Sequence, residues 1–171
     1  MRAAVYIDIK LSHLMAQLLR NLHTYFVKHP NTFALAFPHL CMGAQRRMGD
    51  VVRVFAQHPD VFIGLTQWLS ANHHLAPHVI FSAPIYVDTT KVIKWIEYRR
   101  YHITPQHSHL PACSKYHIEL AKDVPYVRMR NRHGNNFMLR ICALESVATT
   151  ECYPTSYGLS GEKRFSLPMM R

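Results

Sequence analysis

An imidazole titrates near ~6.5 and can take a proton from a ribose 2′-hydroxyl with no metal ion, so His23 is the first residue to weigh as a general base. It stands at the border of an apolar stripe, Leu14, Met15, Leu18, Leu19, Leu22 and Phe26, where a histidine is also a common packing residue. Tyr157, in Tyr157-Gly158-Leu159-Ser160 near the chain end, can donate a hydrogen bond, hold an imidazole, or simply pack. A second chemistry lies in residues 126–140, YVRMRNRHGNNFMLR, where Arg128, Arg130 and Arg132 recur at every second residue. On a strand they share a face, and the turn His133-Gly134-Asn135-Asn136 leads into a return through Phe137. Guanidinium groups so spaced repel one another unless they are solvated or meet an anion. Phosphate contacts beside an aromatic ring that can stack a base fit single-stranded RNA. The competing reading is an edge hairpin kept soluble by its arginines.

Thirteen histidines raise a metal site. The candidate cluster is His102, His107, His109, Cys113 and His117, whose spacing could supply tetrahedral ligands to zinc. It lies in a proline-bearing polar loop, and no metal is assigned from it. His73, His74 and His78 flank a helix end and read as loop residues. Cys41, Cys113, Cys142 and Cys152 are too far apart for a C-x-x-C pair and are expected as free thiols.

The elements that must position these side chains alternate in the first half. Residues 3–11 alternate as a strand, and Ser12 is a plausible N-cap for a helix to about His29, ended by Pro30 and Asn31. Strands follow at 33–37 and 51–56, then a helix at 60–70 and a strand at 79–87 interrupted by Pro84. The order βαββαβ predicts an α+β fold with a ferredoxin-like, RNA-recognition-type domain over 1–88. Residues 91–103 are β-rich, 111–121 suit a short helix, and the hairpin follows at 126–142. These make a basic, β-rich second domain over 89–171, packed on the first without a linker.

Charge points the same way. The chain carries 20 Lys and Arg against 10 Asp and Glu; residues 91–140 hold 10 basic and 3 acidic side chains, whereas 51–90 have only Arg53 against Asp60 and Asp88. A localised basic excess favours nucleic acid, since each neutralised phosphate releases counterions. No long basic amphipathic helix argues for a membrane surface, and no run of about 18 apolar residues or signal-peptide pattern occurs, so a cytoplasmic protein without membrane contact is expected.

With these residues in place, the chain resembles the CRISPR repeat-RNA (pre-crRNA) processing endoribonucleases of type I-F systems. Five features carry the resemblance, in order: Tyr6-Ile7-Asp8-Ile9; Leu22-His23; Ala36-Phe37-Pro38-His39-Leu40; Arg47-Met48-Gly49-Asp50 followed by Arg53-Val54; and Phe137 to Ile141 with Tyr157-Gly158-Leu159-Ser160. Each is weak alone; their order across nearly the whole length is specific. The resemblance implies metal-independent, cofactor-free cutting of a repeat hairpin at the base of its stem. His23 would be the base, Tyr157 would orient it, and Phe137 would stack on a base beside the cut. The products would be a 2′,3′-cyclic phosphate and a 5′-hydroxyl. The protein, a monomer when free, would stay on the guide RNA hairpin among the other subunits of a type I-F surveillance complex.

Two positions depart from the family's pattern. Its serine near the scissile ribose corresponds here to Asn131, an amide that can hold a hydroxyl but cannot act as a serine would. Its arginine-rich helix corresponds to about 104–120, where Lys115 is the sole lysine or arginine. Binding charge is then expected at Lys91, Lys94, Arg99, Arg100, Arg128, Arg130 and Arg132. Glu97 falls where the family reads a base, or is an ordinary exposed strand acid. Arg46, Arg47 and Arg53 are either RNA-backbone contacts or solvated charge. The expected function is a sequence-specific endoribonuclease. The alternatives are a non-catalytic RNA hairpin-binding subunit and a zinc-stabilised nucleic-acid module built on His102 to His117.

Overall fold

The computed structural model describes residues 1–101, 122–131 and 133–170. The histidine cluster from His102 to His117, Lys115, Arg132, Cys113 and the expected helix at 111–121 lie outside the described residues.

The first strand, β1 (Val5–Leu11), sends Val5, Ile7, Ile9 and Leu11 into the core by simple alternation. Helix α1 (Met15–Lys28) covers that face with Leu18, Leu19, Leu22 and Phe26, all buried. Removing each such side chain from water stabilises the fold by about 1.5–3 kcal/mol. Ser12 does not cap α1. The N-cap position is Leu14, in the left-handed region at φ 70°, and the Ser12 hydroxyl instead meets His13 Nδ1 at 2.9 Å. Leu14 packs partly into the core, so apolar burial rather than a polar cap fixes the first turn.

Strands β2 (Ala34–Ala36) and β3 (Val51–Ala56), helix α2 (Val61–Ser70), and strands β4 (Val79–Phe81) and β5 (Ile85–Tyr86) complete the first half. The sheet order is β2-β3-β1-β4, with every pairing antiparallel. The predicted strand at 79–87 is divided at its proline: β4 pairs with Ile9–Leu11 and β5 with Val5 and Tyr6 of the same β1 edge. Arg53 is no surface charge. Paired across from Asp8, it makes two bonds to that carboxylate at 2.7 and 2.8 Å and lies 4.1 Å from the centroid of the Tyr6 ring.

The second sheet has the order β7-β8-β6-β9, again antiparallel, from β6 (Val92–Tyr101), β7 (Tyr126–Arg130), β8 (Asn136–Ser146) and β9 (Leu167–Met170). Its inner face, including Ile96, Tyr98, Val127, Met129, Leu139 and Ile141, belongs to the same buried cluster as the first sheet. The chain is therefore an α+β structure of two antiparallel sheets with few helices. Tyr98 ties the halves together, its hydroxyl donating to the Phe37 carbonyl at 3.3 Å. Cys41, Cys142 and Cys152 are free thiols. Among the described residues no helix is long and apolar enough to cross a membrane.

Candidate active site

The side of α1 turned away from the first sheet is polar. Arg20, His23, Thr24, Val27 and Lys28 follow one another at helical spacing and form one wall of a cleft of about 870 Å³. The His23 ring lies flat on Tyr157, with centroids 4.0 Å apart and an interplanar angle of 7°. His23 Nδ1 is 2.9 Å from the Ser156 carbonyl oxygen. A carbonyl can only accept, so Nδ1 carries the hydrogen and the neutral ring keeps its lone pair on Nε2. The main chain thereby selects the tautomer of the imidazole.

The turn that delivers both contacts is held from several sides. Gly158 N donates to the Thr155 carbonyl and Leu35 N donates to the Gly158 carbonyl, at 2.8 and 2.7 Å. Gly158 has φ 71°, and a Cβ there would stand 2.8 Å from Leu35 Cγ and 3.0 Å from Phe26 Cε2. Only glycine lets the turn press this closely onto α1 and β2.

The opposite wall comes from the second sheet: Arg100, Met129, Arg130, Asn131 and Phe137. Phe137 is paired directly across from Met129, so the two share a face of the hairpin. Arg100 Cζ lies 5.5 Å from the Phe137 centroid and 5.6 Å from that of Tyr157, linking the hairpin to the terminal turn. Asn131 borders the cleft, but its Oδ1 accepts from the main-chain nitrogens of His133 and Asn135 at 3.0 and 2.9 Å. That oxygen braces the hairpin turn, leaving the Nδ2 amino group as what Asn131 can offer a ligand.

Other expected residues lie elsewhere. Arg128 and Arg130 are exposed on the face of β7 opposite Val127 and Met129, and so opposite Phe137. Arg130 reaches the rim of the cleft by turning its Nε onto the Gly134 carbonyl at 2.7 Å, whereas Arg128 does not line it. The expected wall of arginines beside the aromatic ring is thus split between two faces by the pleat. Glu97 is buried rather than exposed, at 7%. It accepts from Ser160 Oγ at 2.8 Å and lies 3.5 Å from both Arg99 and Arg164, contacts that pin the terminal segment on β6 and correct the reading of it as an exposed strand acid.

Lys91 pairs with Asp88, and Lys94 lies six residues from Arg100 on the same strand, about 20 Å away. Arg46 donates to the Lys122 carbonyl and lies by the Tyr126 ring. Arg47 borders a separate hollow with His39, Met48, Gly49 and Asp50. Arg20, Thr24 and Lys28 were not anticipated. Their signal was available: each falls on the helical face of His23, at three residues before it and one and five after.

A family model described as CRISPR-associated protein (Cas_Csy4) matches residues 1–112 of the chain. No curated protein is matched.

Proposed function

Since the chain belongs to the Cas_Csy4 family of CRISPR-associated proteins, we propose that it is a sequence-specific endoribonuclease that cuts CRISPR repeat hairpins in precursor transcripts and stays on the mature guide RNA. The observation that carries this reading is the His23 imidazole, fixed by a main-chain carbonyl with Nε2 left as acceptor, in a cleft that also holds Tyr157, Phe137 and Arg100.

In the proposed reaction the ribose 2′-oxygen attacks the adjacent phosphorus while its proton passes to Nε2 of His23. The phosphorus–O5′ bond breaks and O5′ takes a proton from water, whose hydroxide recovers the proton held on Nε2, giving a 2′,3′-cyclic phosphate, a 5′-hydroxyl and the neutral imidazole. The step as written needs no metal ion or cofactor. Tyr157 holds the plane of the imidazole, Phe137 stacks on a base beside the cut, and Asn131 donates from Nδ2. Arg20 and Lys28 contact phosphates entering along α1. Arg128 and Arg130 serve the flanking stem from the outer face of the hairpin, Arg132 adds RNA-binding charge, and Lys91, Lys94, Arg99, Arg46 and Arg47 are more distant contributions to the basic field.

The proposed organisation is a ferredoxin-like unit over 1–88, supported by the strand order β2-β3-β1-β4, and an RNA-binding unit over 89–171. The free protein is a cytoplasmic monomer that joins other subunits of a type I-F complex on its RNA. The test is to recover the RNA that co-purifies with the protein and identify its ends. A hairpin-ended guide with a cyclic phosphate is expected; bound hairpin that wild-type protein never cuts would select a non-catalytic subunit instead.

A further inference from the structure

We propose that Arg100 is a catalytic residue, binding the non-bridging oxygens of the scissile phosphate and stabilising the negative charge that builds there as the 2′-oxygen attacks. This rests on the reading of the cleft given above and adds to it a group whose part is in rate, distinct from RNA affinity.

The argument begins with strand parity. Ile96, Tyr98 and Arg100 point to the same side of β6, and the first two are buried at 5% and 4%. The third position in that inward row holds a guanidinium. Among the described residues Arg100 has no carboxylate partner. The nearest acid along the strand, Glu97, is an odd number of residues away, on the other face, and engaged with Ser160, Arg99 and Arg164. A half-buried cation is costly without a counter-charge, and an anion that arrives with the substrate would supply one.

Its surroundings restrict where that anion can sit. The guanidinium lies between the Phe137 and Tyr157 rings at 5.5 and 5.6 Å, and Tyr157 carries His23 at 4.0 Å. Base and cation are therefore both held against the Tyr157 ring, in one cleft. Arg20 and Lys28, by contrast, are exposed on a helix surface. Exposed surface cations suit backbone attraction, which acts equally on ground and transition states and so changes affinity rather than rate. A preorganised cation at the reacting phosphate acts on the charge that develops only in the transition state. The bonds made and broken are unchanged by Arg100: its protons stay on nitrogen throughout, as a guanidinium's high proton affinity requires.

Two measurements separate rate from binding, using the RNA hairpin recovered with the protein and resynthesised. One is the single-turnover cleavage rate at saturating protein; the other is equilibrium binding of the same hairpin carrying a 2′-deoxy nucleotide at the cut. Arg100→Gln is expected to bind the deoxy hairpin within about threefold of wild type yet cleave about 100-fold more slowly or worse. A phosphorothioate at the cut adds a readout that a structural role would not move. Wild type should discriminate between its two stereoisomers, and the variant should lose most of that discrimination.

A saturating rate within about threefold of wild type overturns the proposal, whatever happens to affinity. If Arg100→Gln fails to bind, Arg100→Lys decides, because it keeps the charge and the packed stem but not the forked donor geometry. A slowed rate with altered stereoisomer preference supports the assignment, and a wild-type rate and preference refute it. Should His23→Ala cut as fast as wild type, the cleft itself is misassigned and the inference about Arg100 falls with it; an inactive His23→Ala beside a fully active Arg100→Gln removes the inference alone.

Discussion

His23 takes its orientation from the carbonyl of Ser156, 133 residues further along the chain. Tyr157 meets the imidazole through its ring face, so the role proposed for it rests on the stack and not on the phenol oxygen. Tyr157→Phe should therefore keep single-turnover cleavage within about threefold, while Tyr157→Ala should lower it by tens, about 1–2 kcal/mol for a lost aromatic pair. Equal loss in both variants would assign the role to the hydroxyl instead. At this scale the sequence displayed the reactive side chains but not their partners. A main-chain carbonyl has no residue-type signature, and Glu97 could not be read as buried because Ser160 and Arg164 lie 63 and 67 residues away.

Among the elements, the terminal turn bears the heaviest constraint. Gly158→Ala would force a Cβ to within 2.8 Å of Leu35 at a positive φ, so the turn must lift from α1 and β2. The expected outcome is a loss of about 1–3 kcal/mol in stability by denaturant melt, together with slower cleavage as the Ser156 carbonyl and Tyr157 leave His23. Retained activity with unchanged stability would show that the turn is not what sets the imidazole.

The run Arg47-Met48-Gly49-Asp50 is likewise explained by local geometry: a Cβ on Gly49 would meet His39 Cβ at 2.6 Å, and Asp50 bonds His39 Nδ1 at 2.5 Å. Strands and helices were legible from alternation and the apolar stripe. The facing of the hairpin was harder to read, because Arg128, Arg130 and Phe137 fall on opposite sides only once the register Met129 to Phe137 is known.

At the scale of the whole molecule, two sheets share one core and the cleft opens between α1 and the second sheet. Tyr98 is one of the ties between them, and burial pushes its hydroxyl up to about 12. The unfolded chain gives up a tyrosine proton from about pH 10, whereas the folded chain keeps this one. Its stabilising contribution is therefore full below about pH 10 and lost progressively toward pH 12. Tyr98→Phe should cost about 1 kcal/mol near neutrality, since the Phe37 carbonyl still accepts from Leu40 N, and should flatten the alkaline decline measured by urea melts. An unchanged decline would assign it to other groups.

The charged outer face predicts a different kind of effect: Arg128→Ala should lower the salt slope of hairpin binding by about one, uniformly across RNA sequences. No change in slope would remove Arg128 from the RNA contact.

The most direct test of the central claim is the end chemistry of repeat RNA incubated in EDTA with wild-type protein and with His23→Ala. A 2′,3′-cyclic phosphate and a 5′-hydroxyl with wild type, and a rate lower by about 10²–10⁴ with His23→Ala despite retained hairpin binding, are predicted. Cleavage that needs added metal, or that proceeds equally well without the imidazole, would contradict it.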